Sequence, residues 1–130
     1  MREPEWLSRA LILAIHDEQL AEHGGRTGVR DDGLLHSALA RPRNRFAYNE
    51  AADLAALAAA YAFGLAKNRP FVDGNKRVAQ VAAEVFLDLN GMTLTASDKD
   101  CVLTMLRLAA GEIEESAFAA WLRANATWQD

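Results

Sequence analysis

Lys67, Arg69, Lys76 and Arg77 crowd around one carboxylate, Asp73, in the stretch KNRPFVDGNKR. An apolar periodic segment begins directly behind it, so the stretch forms the mouth of a helix. The first turn of a helix carries free backbone N–H groups and the positive end of the dipole, which together attract an anion. Gly74 lets a ligand approach the backbone closely, and Asn75 adds an amide donor. Lys76 and Arg77 hold neighbouring first-turn positions and point in different directions around a bound phosphate. Asp73, a lone carboxylate beside such a site, is placed to hold Mg²⁺. The chemistry this constellation suits is the binding of a nucleotide polyphosphate with its metal. Asp-Gly-Asn is also ordinary turn chemistry, and a cation at a helix start is commonly only solvated. Phosphate binding gains on one point. Cations in a first turn oppose the helix dipole, and broken local rules concentrate at functional sites.

The rest of the chain sets this cluster in relief. Its 130 residues suit one domain, 1–130, large enough to bury a core without a disulfide or a metal. The net charge is −4, whereas the window 67–77 carries +3, which leaves −7 for all other positions. Focused positive charge in an acidic chain points to a small anion, and it counts against direct DNA binding. The single cysteine, Cys101, excludes an internal disulfide and fits a reducing cytoplasm. Val102 and Leu103 beside it favour a buried thiol over a nucleophile. The start MREPEW does not read as a signal peptide, and the apolar runs are too short to span a membrane.

Six helices are predicted to position the cluster. The first runs from about Glu5 to Glu22 with Pro4 in its first turn, an apolar stripe of Leu7, Leu11, Ala14 and Ile15, and a stop at Gly24-Gly25. The second runs from about Asp32 to Ala40, capped by Asp31 or Asp32, with Leu34, Leu35, Ala38 and Leu39 inward. Pro42 ends it, and RPRNRFAYNE (41–50) is a basic loop. The third, about Glu50 to Lys67, buries Leu54, Leu57, Ala58, Tyr61 and Leu65. Its alanine-rich surface lets neighbours approach closely and places it centrally. Asn68 and Pro70 close it. The fourth starts near Gly74, shows Val78, Val81, Ala82, Val85, Phe86 and Leu89 at helical spacing, and ends at Asn90-Gly91. MTLTA is a short extended link. Ser97 and Asp100 resemble a capping box opening the fifth helix, about Asp98 to Ala110. The sixth, about Glu114 to Ala126, packs Phe118, Trp121 and Leu122. The architecture is all-α, a compact bundle of about six helices.

PFVDGNKR, Pro70 to Arg77, resembles the signature of the Fic/Doc family, and of its Doc branch in particular. The family pattern is His-Pro-Phe, two residues opening the acidic turn, then Gly-Asn-Gly-Arg, and the Doc branch has lysine for the second of those glycines, as Lys76 stands here. Ile15 to Pro42 and Ser97 to Arg123 also look like Doc segments, so the resemblance covers most of the chain. It implies an all-helical fold and a toxin of a bacterial or phage toxin–antitoxin pair. Fic proteins generally transfer AMP from ATP to a hydroxyl side chain. Doc proteins transfer the terminal phosphate instead, to elongation factor Tu, and so block translation. Phd-like antitoxins neutralise them by lying in a groove beside the active site. Carried onto this sequence, Asp73 holds Mg²⁺, and Asn75, Lys76 and Arg77 hold phosphate oxygens. Gly74 gives backbone access, and Phe71 anchors the loop in the core. The segment 41–50 falls where the family has its target-docking flap.

One position departs. The family histidine belongs two residues before Phe71, and this chain has Arg69 there. That histidine takes the proton from the attacking hydroxyl, a task for a group whose pKa lies near the working pH, about 6.5 for histidine. An arginine side chain keeps its proton far above any working pH. Arg69 can therefore bind phosphate but cannot serve as the base, and neither can Asn68. The expectation is a chain that binds its nucleotide and is inactive or severely impaired, whether Arg69 is a selected change or a natural one.

Three other readings stand beside this one. AMP transfer is opposed by Lys76. A non-catalytic module that binds ATP or antitoxin is favoured by Arg69. A DNA-binding helical domain is opposed by the acidic total and the lack of a basic recognition helix. His16, His23 and His36 do not make a zinc site. Hydrogen bonding or exposure suits each, and His16 is open to a supporting role at the active site. Trp121 is assigned to the core, whereas Trp6 and Trp128 are open to core edge or partner contact. Arg26, Arg30, Arg43 and Arg45 are open to a part in a phosphate or target surface, with solvated loop charge as the default reading.

Overall fold

The computed structural model describes residues 2–130; Met1 lies outside them. Six helices follow in chain order: α1 Arg9–His23, α2 Asp32–Tyr48, α3 Leu54–Asn68, α4 Asn75–Leu89, α5 Asp98–Ala109 and α6 Glu115–Ala124. Two short strands, β1 Met92–Leu94 and β2 Ala126–Trp128, pair antiparallel with Met92 opposite Trp128 and Leu94 opposite Ala126. The fold is all-helical apart from this small ribbon, as the sequence predicts.

α3 is the axis of the molecule. It packs against α2, α4, α5 and α6, and Leu57, Ala58, Ala59, Ala60, Tyr61, Ala62 and Leu65 have no exposed surface. The reason lies in its composition. Alanine pays little side-chain entropy in a helix and lets neighbouring backbones come close. Gly64 takes this further: a β-carbon there would stand 3.2 Å from the Cα of Ala38 on α2. Asp53 caps the helix, accepting from the Ala56 amide at 2.9 Å, and Arg123 of α6 donates to the same carboxylate.

Four expectations about element boundaries are corrected. α1 begins at Arg9 rather than Glu5, and Pro4 is outside it, because Ser8 accepts from the Leu11 amide. The residues before Ser8 are held extended by tertiary bonds: Leu7 N–H donates to the Tyr61 hydroxyl at 2.9 Å, and the Glu5 N–H donates to Asn90 Oδ1. The inward face of α1 is also shifted, to Ile12, Ile15, His16, Gln19 and Leu20, leaving Ala14 exposed. Pro42 does not end α2. The helix runs through it to Tyr48, so 41–48 is helix and not loop. A mid-helix proline costs about 3 kcal/mol. Burial of Pro42 and Phe46 offsets this, together with Arg41 and Arg45 donating to Glu115 of α6 at 3.1 and 3.0 Å. α3 starts at Leu54 rather than Glu50, behind the Asp53 cap. α6 stops at Ala124, and Ala126 belongs to β2.

Smaller corrections concern single side chains. Leu89 is exposed, and Leu87 takes its place in the core. Trp6 lies at the core edge, stacked on Phe86 and edge-on to Phe46. Cys101 is buried, with its thiol pushed up to about 11 by burial and by the neighbouring Glu84 carboxylate, so it is structural and unreactive near neutrality.

Candidate active site at the mouth of α4

α3 and α4 meet at a six-residue turn, Arg69 to Gly74, and the cluster the sequence singled out lies on it or just after it except Lys67, which stands in the last turn of α3 outside the concavity, near the Phe63 ring. Gly74 stands at the start of α4 in the left-handed region (φ 80°), and no side chain caps the helix. The first-turn amides therefore face outward as donors, the arrangement that receives an anion. Arg69, Asp73, Gly74, Asn75, Lys76 and Arg77 line one concavity of about 440 Å³, whose wall is completed by Ala66, Val72 and Ala109. Lys76 and Arg77 thus border a common space. The Nε of Arg77 is buried without a protein partner, while its terminal nitrogen donates to the Gly24 carbonyl at 3.3 Å.

The turn is braced from three sides. Phe71 is buried and anchors it. His16 of α1 stacks on Phe71 with ring centroids 3.9 Å apart, and its Nε2 lies 2.9 Å from the Asp73 carbonyl. A carbonyl can only accept, so Nε2 carries the hydrogen and His16 is the donor. Asn75 closes the turn: its side-chain carbonyl accepts from the Phe71 N–H at 2.9 Å, and its NH₂ donates to the Phe71 carbonyl at 3.0 Å. Asn75 is therefore first a brace, with one N–H left for a ligand. The segment before α2 lies alongside, Val29 pairing with Phe71 as an isolated antiparallel bridge.

Asp73 is the one carboxylate in the concavity. Its oxygens accept from the amides of Arg26 at 3.2 Å and Gly74 at 3.1 Å. These bonds hold the carboxyl below its ordinary 3.8, with smaller help from the charges of Arg26 and Arg77. Gly25 permits the close approach, since a β-carbon there would meet an Asp73 oxygen at 3.1 Å. Asp73 is thus ionised at neutral pH with lone pairs to spare. Among the described residues no three acidic, histidine or cysteine side chains gather as a metal cluster. A single carboxylate is the protein contribution typical of Mg²⁺ sites that share the ion with substrate phosphates. The donor set fits that metal and not zinc.

Arg69 caps α3 with a left-handed backbone (φ 49°, ψ 57°) and an exposed side chain. His23 and His36 are exposed, and neither lines the concavity. Sequence reasoning gave His16 no more than an open role. Its signal was a polar residue at the register of Ile12 and Leu20, which is the buried stripe of α1 once the register is corrected.

A second concavity, about 420 Å³, lies between α2, α3 and the start of α6. It is bounded by Arg41, Arg45, Tyr48, Phe63, Asn68 and Glu115. Tyr48 stands 95% exposed at its rim. No helix among the described residues is long and apolar enough to cross a membrane.

Comparison with known proteins adds the following. Residues 6–87 match the model of the family described as "Fic/DOC family". The chain is 36% identical over 112 residues to "Protein kinase doc" of Escherichia phage P1, a match covering 86% of this chain and 88% of that protein. It is 46% identical over 74 residues to "Toxin Doc" of Mycolicibacterium smegmatis, covering 56% of this chain and 57% of that protein.

Proposed function

Since the chain belongs to the Fic/DOC family, we propose that it is a Doc-type toxin whose α4 mouth takes ATP for phosphate transfer to a hydroxyl of elongation factor Tu, and that Arg69 leaves this copy without its base. The observation that carries the reading is the single concavity joining uncapped α4 amides, Lys76, Arg77 and the ionised Asp73. The relative named as a protein kinase and the relative named as a toxin support the same reading.

In the active form of such a site the acceptor oxygen attacks the terminal phosphorus. The bond to the bridging oxygen breaks and ADP leaves. Lys76, Arg77 and the first-turn amides hold the phosphate oxygens as charge gathers there. Asp73 would hold Mg²⁺, which neutralises phosphate charge when bound. The attacking hydroxyl must lose a proton, and position 69 is the family's place for the group that takes it. A guanidinium has no free lone pair to accept one. Arg69 adds positive charge beside the phosphates, which favours binding over turnover.

A Phd-like antitoxin is the proposed partner. Its tail would lie in the groove of α2, α3 and α6, whose end at Asn68 adjoins position 69. The target places the protein in the cytoplasm. The exposed guanidinium at position 69 favours one second reading, a non-catalytic module that binds ATP or antitoxin. AMP transfer is disfavoured by Lys76.

The test is Arg69→His with ATP labelled separately at the α and γ phosphates. The restored protein is expected to move the γ label, and not the α label, onto elongation factor Tu, and to arrest growth when expressed. Transfer of the α label would mean AMP transfer. Transfer of neither would favour the binding module.

A further inference from the structure

Position 69 is under backbone strain. It is the one non-glycine residue with positive φ among the described residues. A left-handed backbone is costly for a residue with a β-carbon, and it persists only where the surroundings over-determine it. Beside the Arg69 N–H bond to the Leu65 carbonyl and the Asp31 N–H bond to the Pro70 carbonyl, one side chain 39 residues upstream supplies two of the bonds that surround it. Arg30 Nε donates to the Arg69 carbonyl at 2.8 Å, and its terminal nitrogen donates to the Asn68 carbonyl at 2.9 Å. Its own backbone N–H donates to the Pro70 carbonyl at 2.7 Å. One residue therefore engages three consecutive carbonyls, 68, 69 and 70. The first two are last-turn groups of α3 that the helix itself leaves without donors, and the guanidinium sits at the negative end of the α3 dipole. The contact extends one step further, where the Val72 N–H donates to the Gly28 carbonyl at 3.0 Å. Arg30 lies outside the lining of the phosphate concavity.

We infer that Arg30 is a positioning residue: its forked bonds to the carbonyls of Asn68 and Arg69 fix the left-handed turn that aims the side chain at position 69 into the concavity. The planar fork is what the task requires. An ammonium at the same place is a single point charge and cannot span two carbonyls in fixed geometry. The consequence for catalysis rests on the function proposed above; the hold on the turn does not.

The test has two arms. In the chain as it stands, amide hydrogen exchange is compared among the parent, Arg30→Ala and Arg30→Lys. Arg30→Ala is expected to speed exchange at Arg69, Phe71 and Val72 while α4 and the interior of α3 keep their protection. In the Arg69→His background, Arg30→Ala is expected to lower kcat about 100-fold, the scale of a small misplacement of a reacting group, with KM for ATP within about twofold. Arg30→Lys should recover little, and added guanidinium ion should recover part of the loss. Unchanged exchange at Arg69, Phe71 and Val72, a loss of protection spread over the whole protein, or an unaltered kcat would overturn the inference. If Arg69→His alone transfers nothing, the proposed function falls, and the exchange arm still decides whether Arg30 holds the turn.

Discussion

At Asp73, two backbone amides keep the carboxyl ionised well into the acid range, and a third contact, from His16, fixes the carbonyl of the same residue. The side chain and the main chain of one residue are thus held by separate partners. Asp73, Gly74, Lys76 and Arg77 were legible because they are consecutive or nearly so, and a helix mouth turns neighbours in sequence into neighbours in space. His16 and Arg30 were not, since their partners are 57 and 39 residues away and no spacing rule links them. Asn75 was read as a ligand donor when its amide chiefly serves Phe71. His16 offers a direct check. His16→Ala removes the stack on Phe71 and leaves the Asp73 carbonyl unpaired, so it should cost about 3 kcal/mol in urea unfolding. A loss below about 1 kcal/mol would show that the brace matters little.

At the scale of elements, α4 was readable from its amphipathic period and α3 from its alanines, because both patterns report directly on what is buried. α2 was misread at Pro42, where packing of Phe46 and the ion pairs to Glu115 override a local helix breaker. Of the target-docking flap expected at 41–50, residues 41–48 fall on this helix and only Asn49 and Glu50 lie beyond it. Capping governs where α3 starts. Asp53→Ala should destabilise the protein by about 1 kcal/mol through loss of the cap, measured by thermal or urea unfolding. Asp53→Asn keeps the cap and isolates the pair with Arg123, which is half exposed and worth less than about 1 kcal/mol. The hydrogen bond from Arg123 holds the Asp53 carboxyl below its ordinary 3.8. A depressed native pKa stabilises above the unfolded value and is lost as pH falls through the native one. The gap between the parent and Asp53→Asn should therefore be steady near neutrality and close below about pH 3.8. A gap that persists in acid would contradict the assignment.

For the molecule as a whole, the fold brings the end of α3 and the start of α4 together under an acidic exterior, so that a chain of net charge −4 presents one cationic concavity. Arg69 lines that concavity without closing it, and on the proposed function it would block turnover while leaving nucleotide binding intact. The most direct measurement is calorimetric titration of ATP with Mg²⁺ into the chain carrying Arg69, alongside Lys76→Ala and Arg77→Ala. The account predicts saturable binding to the parent, weakened about tenfold or more by either substitution, as loss of a charge-assisted hydrogen bond requires. Absence of binding to the parent, or binding that both variants retain undiminished, would contradict it.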